Sequence, residues 1–153
     1  MTIRVATEGD EEDLNTLAKM SPFTRDFANP PLSLKAMRAE AIEAGQVLVY
    51  EDMSHLGPVV VGFIWCRPMK PKHMPFSTVY YMGVHPEYAR QGIAAELMLD
   101  ALAQAKNGRI ELVCEDGNKA AARFYKKFGM KPLSKGTVGK DNRPYTRWYA
   151  ELQ

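Results

Sequence analysis

Apolar and polar positions along the chain alternate with two different periods, and the switch between them marks out the elements. Ile3 to Ala6 is a short apolar run that predicts an opening strand. Gly9-Asp10 leads into Glu11, Glu12 and Asp13, an acidic turn suited to the positive end of a helix dipole, and Leu14, Leu17 and Ala18 follow at helical spacing. Pro22, Asn29, Pro30 and Pro31 interrupt that pattern, so Ser21 to Pro31 reads as a loop carrying Phe23 and Phe27. Ser33 is placed to cap a second helix with Leu34, Met37, Ala41 and Ile42 on one face and Gly45 at its end.

Strand signals then take over. Val47–Tyr50, Val59–Cys66 and Thr78–Val84 are rich in β-branched and aromatic residues, with a turn over Met53–Pro58 and a loop over Arg67–Pro75. Gly92 to Asn107 is the clearest helix, its apolar stripe formed by Ala94, Leu97, Met98, Ala101, Leu102 and Ala105, with Asn107-Gly108 closing it. Arg109–Cys114 predicts a strand. Asn118–Phe128 predicts a helix with Ala121, Phe124, Tyr125 and Phe128 on one side, Lys126 and Lys127 in the last turn, and Gly129 at its end. Strands around Lys131–Ser134 and Tyr145–Leu152 complete the series, joined by a polar loop from Lys135 to Pro144. A strand–helix–strand unit from Thr78 to Cys114 demands a parallel pair, whereas the earlier strands read as hairpins. The fold class is therefore α/β (α+β), with a mixed and mostly antiparallel sheet of about six to seven strands flanked by about four helices. No repeat or linker divides it, so one domain over 1–153 is expected.

Composition narrows the partners. Twenty basic residues against 18 acidic ones leave a net charge of +2, a balance that argues against a dedicated nucleic-acid binder. Cys66 and Cys114 each lie in an apolar run and read as buried free thiols, which fits a reducing compartment. The N-terminal residues lack the apolar stretch of a signal peptide and no long apolar run follows, so a cytoplasmic protein without membrane attachment is expected. His73, His85 and the third histidine, His55, are too scattered for a metal site, and no metal is expected.

The chemically informative stretch runs from Val84 to Ala95. A strand ends, a short turn follows, and a long helix begins near Gly92. Helix N-termini carry unpaired N–H groups and partial positive charge, and a glycine there lets an anion approach the main chain. Ala94 and Ala95 keep the next turn open, and Arg90 adds a cation. The same residues also fit an ordinary strand-to-helix connection in which glycine only relieves packing. With one glycine and no following Gly-Lys-Ser/Thr, the turn is neither a Walker loop nor a dinucleotide fingerprint.

Val84-His85-Pro86, followed by Ala89-Arg90-Gln91-Gly92-Ile93-Ala94, resembles the pyrophosphate loop of the GNAT family of acyl-CoA-dependent N-acetyltransferases. Asn118, Ala121, Phe124, Tyr125 and Gly129, with Met130 in place of a phenylalanine, resemble the family's following motif at the correct separation. The resemblance implies strands Thr78–Val84 and Arg109–Cys114 splayed around a pantetheine arm. It places the acetyl carbonyl and pantetheine amides on the backbone of Met82, Gly83 and Val84. The pyrophosphate falls on N–H groups of Arg90, Gln91, Gly92, Ile93, Ala94 and Ala95, with Asn118 either contacting the arm or capping its helix. Tyr125 becomes the acid that protonates the departing thiolate, with a Met82 N–H stabilising the oxyanion. Equally, Tyr125 fits the apolar stripe beside Phe124.

Two positions depart from the family pattern. Ala89 stands where Gln or Arg is usual, and Tyr80, beside Tyr81, stands where many members place a glutamate as general base. An unperturbed tyrosine titrates near pH ~10 and makes a poor base. Glu111, Glu115, Asp116, His73 and His85 are alternatives, with Glu111 read more readily as a surface strand residue; a water chain is another. The acceptor is expected near Phe23, Phe27, Tyr80, Arg143 and Tyr145. The expected function is transfer of acetyl from acetyl-CoA to a primary amine of a small molecule, amino acid, peptide or protein, by direct attack in a ternary complex. The alternative is an acyl-CoA-binding module with little or no turnover. A homodimer through the aromatic strand Tyr145–Leu152 is compatible with either.

Overall fold

The computed structural model describes residues 2–20, 41–54, 56–69 and 75–152. Seven strands form one sheet: β1 (Thr2–Val5), β2 (Val47–Ser54), β3 (Gly57–Pro68), β4 (Ser77–Val84), β5 (Arg109–Glu115), β6 (Lys131–Val138) and β7 (Arg143–Glu151). Their spatial order is β1-β2-β3-β4-β5-β7-β6. Every neighbouring pair is antiparallel except β4–β5, which is parallel as the strand–helix–strand pattern requires.

Period-two alternation sorts the strand residues between two apolar layers. Val47 and Val49 of β2, with Phe63 and Trp65 of β3, pack with Leu14 and Leu17 of α1 (Glu11–Met20) on one face. Leu48 and Tyr50, with Ile64, Met82 and Leu112, face α2 (Ile93–Gln104) and α3 (Lys119–Phe128) on the other. Arg4 holds the entry to α1: its guanidinium donates to both carboxylate oxygens of Asp10 at 2.8 Å and to Glu51 of β2 at 2.6 Å. That contact keeps the nearly buried Asp10 carboxyl below its usual pKa. Ala41 and Ile42 are buried in the α1 layer, while the predicted helix start at Ser33 and the loop of Phe23 and Phe27 lie outside the described residues. No helix among the described residues is long and apolar enough to cross a membrane.

Three boundaries differ from the sequence reading. The β2–β3 connection is tighter than Met53–Pro58, because Met53 pairs with Pro58 and Ser54 with Gly57. The helix predicted to reach Asn107 stops at Gln104: Ala105 turns extended, and the Lys106 N–H donates to Ser77 Oγ at 2.9 Å, which steers the chain toward β5. The polar segment Lys135–Pro144 is mostly strand, with a turn only over 139–142. β6 is an edge strand exposed along most of its length, so it shows no apolar alternation to betray it.

What positions the site is the relation of β4 to its neighbours. Against β3, Cys66 pairs with Val79 and Trp65 with Tyr81, leaving Tyr80 as an extra residue bulged out of the ladder. Against β5, only Ser77↔Ile110 and Thr78↔Glu111 pair; past Thr78 the strands part. On its other edge β5 runs with β7 for seven pairs, Arg109↔Glu151 through Glu115↔Tyr145. α2 seats close to the sheet because Gly62 lies beneath it: a Cβ there would meet Ile93 at 3.0 Å and Leu97 at 3.2 Å. A Gly62→Val substitution should therefore cost about 1–3 kcal/mol through overpacking. The check is the denaturant midpoint with the slope unchanged, and a wild-type midpoint would show that α2 seats independently of this contact.

Candidate active site

The connection from β4 to α2 is short and braced. Pro86–Tyr88 form a 3-10 turn, capped by His85, whose Nδ1 accepts from the Glu87 N–H at 3.1 Å. Tyr88 Oη donates to Asp52 of β2 at 2.8 Å. Tyr50 of β2 bonds Glu96 in the first turn of α2, and this contact, followed by burial, pushes the Tyr50 pKa up to about 12. Between these anchors Arg90 and Gly92 both adopt left-handed backbone, with φ of 65° and 80°. For Arg90 this conformation is strained, and for Gly92 it is the reason the position favours glycine. Such left-handed turns aim successive N–H groups toward one point. The first amides of α2 have no partner inside the helix and add its positive end. Nothing lies within 4 Å of a Cβ built on Gly92, so the concavity is open where an anion would sit.

The parting of β4 and β5 opens a narrow cavity lined by Val79, Tyr80, Tyr81, Met82, Leu112, Val113 and Tyr125. Tyr125 enters it from α3. The Asn118 side chain starts that helix by accepting from the Ala121 N–H at 3.2 Å, and left-handed Gly129 ends it. Burial above all, with Cys114 nearby, pushes the Tyr125 pKa upward, so its hydroxyl stays protonated. Trp65 backs the opposite wall, with ring centres 5.0 Å from Tyr80 and 6.0 Å from Tyr81. Main-chain groups of β4 that face the parted side have no ladder partner on β5 beyond Thr78. An extended ligand lying there would complete the sheet edge.

A short anion cradle joined to an open sheet edge fits an extended ligand that carries phosphate. The model of the acetyltransferase (GNAT) family matches residues 14–130. The chain belongs to the GNAT family. Acetyl-CoA is the acyl donor of such enzymes, and the open cradle and the unpaired edge are the features that would hold it. Among similar proteins, the 5-NmdU N-acetyltransferase of Pseudomonas phage PaMx11 is 24% identical over 97% of this chain and 99% of its own. Among the solved structures that share the fold, two serve as examples. One is yncA of Salmonella typhimurium, solved with its cofactor acetyl-CoA (TM-score 0.76, 22% identity, covering 100% of this chain and 94% of that one). The other is the ribosomal-protein-alanine N-acetyltransferase of Brucella melitensis (TM-score 0.75, 20% identity, 99% and 100%).

Within this GNAT fold, Tyr80, Met82 and Tyr125 come together around the cavity, and Gly83 and Val84 continue β4 toward the cradle of Arg90, Gln91, Gly92, Ile93, Ala94 and Ala95. Asn118 stands at the start of α3. Arg143 and Tyr145 do not line the cavity: Arg143 bonds Glu115 and Asp141, and the Tyr145 ring covers Gly136, where a Cβ would meet its hydroxyl at 2.6 Å. Sequence reasoning missed Tyr81, Leu112 and Val113 as lining residues. Tyr81 is there because the Tyr80 bulge shifts the alternation, and Leu112 and Val113 follow from the β5–β7 register.

The acidic candidate bases are each engaged elsewhere. Glu111 is not a surface residue. It is 5% exposed and pairs with Arg109 at 3.0 Å and Arg147 at 3.7 Å. Glu115 pairs with Arg143, Asp116 accepts from Thr146 at 2.7 Å, and His73 lies outside the described residues. No group of metal-ligating side chains occurs among the described residues. Both thiols are unbridged and poorly nucleophilic, Cys66 half-buried with its pKa pushed to about 12 by burial, and Cys114 buried and pushed to about 11 chiefly by burial. If the Asn118 contact is a working cap, Asn118→Ala should cost about 1 kcal/mol of stability. Thermal unfolding with and without coenzyme A separates that loss from any change in ligand affinity, and an unchanged melting temperature would refute the cap.

Proposed function

We propose that this protein acetylates a primary amine by direct transfer from acetyl-CoA in a ternary complex. The observation that carries the proposal is the cavity where Met82 on β4 and the buried, protonated Tyr125 on α3 share a lining, next to the open cradle at Gly92. The N–H groups from Arg90 to Ala95 would hold the pyrophosphate, and the parted edge of β4 at Met82, Gly83 and Val84 would align the pantetheine amides and the acetyl carbonyl. When bound, the coenzyme supplies an activated thioester. Tyr125 holds a proton at Oη in a dry setting and gives it to sulfur as the thiolate leaves. Main-chain donation at Met82 favours charge developing on the carbonyl oxygen. The raised thiol pKa values of Cys66 and Cys114 favour direct transfer over an acyl-cysteine route.

The acceptor enters as a primary amine of a small molecule, amino acid, peptide or protein, and 5-NmdU joins the panel because the phage relative is named for it. Tyr80 and Tyr81 form its aromatic wall. Phe23, Phe27, Arg143 and Tyr145 remain candidates for the outer contacts.

Calorimetric titration of acetyl-CoA tests the cofactor site. Wild type should bind and Gly92→Glu should not, since an anion in the cradle opposes the pyrophosphate. A folded wild type that fails to bind would sink the proposal. Tyr125→Phe should then lower kcat by about 10²–10⁴-fold with coenzyme affinity kept, and an unchanged kcat would return Tyr125 to a purely packing role.

No carboxylate or histidine lines the cavity among the described residues, which gives a second test. The amine must arrive unprotonated, so kcat/KM should rise with pH and level off at the acceptor's own pKa. Two acceptors of different amine pKa should shift the inflection by that difference. An inflection fixed at one pH for both would reveal a base on the enzyme.

A further inference from the structure

The net charge of +2 conceals a segregation. Residues 117–147 contain nine Lys and Arg and a single acid, Asp141, leaving the remainder of the chain net acidic. This stretch is α3, β6 and the first half of β7. Lys119, Arg123, Lys126, Lys127, Lys131 and Lys140 within it are exposed and make no ion pair among the described residues. On α3 the cations fall at steps of three and four, so neighbours stand about 5–6 Å apart along one face. The other face of the same helix carries Tyr125 into the cavity. Lys131 continues the basic surface onto the edge strand directly after the helix.

Bare cations in this number repel one another and are held only by the fold, so they favour a polyanionic partner. An anionic membrane does not fit, because the apolar stripe of α3 is spent in the core, with Ala121 2% and Tyr125 6% exposed, and has nothing to insert. An acidic protein fits poorly. Protein interfaces rely on apolar and aromatic anchors, and Leu133 is the one large apolar side chain exposed in the region among the described residues. A nucleic-acid backbone needs spaced, exposed cations and no apolar anchor. We infer that α3 and β6 form a docking surface for nucleic acid, and that the acetylated amine is borne on a nucleic-acid chain. The inference rests on the acetyltransferase reading and narrows its acceptor.

Fluorescence anisotropy with a labelled duplex of about 20 base pairs tests the surface directly. Wild type should bind at low salt, with log affinity falling linearly against log salt. The triple variant Arg123→Gln/Lys126→Gln/Lys127→Gln should bind about tenfold or more weakly, with the salt slope reduced by about 3. An oligonucleotide carrying an aminoalkyl base should show a lower KM than the same aminoalkyl nucleoside, and the triple variant should lose that advantage while keeping its KM for acetyl-CoA. Lys131→Gln/Lys140→Gln, on the hairpin, should act in the same direction and covers the case in which the α3 variant does not fold. Absence of wild-type binding to duplex or single strands would overturn the inference. So would equal affinity for polyglutamate, or a raised KM for acetyl-CoA in the triple variant with a small amine, which would give the cations to the cofactor. Failure of wild type to bind acetyl-CoA would instead remove the enzyme reading beneath it.

Discussion

β5 lies between β4 and β7, and it pairs with β4 on one edge at only two positions while it pairs with β7 on the other along seven. Charged side chains reinforce the β5–β7 edge, because Glu111 bonds Arg109 on its own strand and Arg147 across it, while Arg109 reaches Glu151 and lies over the Tyr149 ring at 4.3 Å. The parting after Thr78 leaves main-chain groups of β4 without a ladder partner on β5 in the middle of a sheet, which is costly unless a ligand or water supplies one. The Tyr80 bulge bends β4 at the point of parting. Everything the site does depends on that gap.

The cradle and the gap are two ends of one arrangement. β4 runs along the gap and, four residues beyond the bulge, reaches Val84 and the turn that begins α2. Gly62 lets α2 sit low against the sheet, so its amides open beside the end of β4. Tyr88–Asp52 and Tyr50–Glu96 tie this turn back to β2, and the tie supports a backbone with strained Arg90. On the opposite wall Tyr125 is held by α3, whose cap and left-handed stop define its length. The aromatic packing of Trp65 behind Tyr80 and Tyr81 stiffens that wall of the gap.

Much of this was legible along the chain. Helical period alone located α1, α2 and α3, because each buries one face against the sheet and must repeat at three- and four-residue steps. β2, β3 and β4 announced themselves by β-branched runs buried on both faces. The hairpin of β6 and β7 was read too short, since an edge strand solvated on both faces needs no apolar alternation. Glu111 was misread for a related reason: its neighbours in sequence are apolar, but its partners Arg109 and Arg147 come together only through the β5–β7 register.

Spacing in the chain determined the turn at Gly92 and the helix bearing Asn118 and Tyr125, because helix starts, caps and stops are local and their residues lie within a few positions of one another. The parting of β4 from β5 and the meeting of Tyr80, Met82 and Tyr125 were decided by tertiary structure. Each depends on which strand pairs with which and at what register. Those pairings join residues far apart in the chain, and no local pattern encodes where a ladder stops.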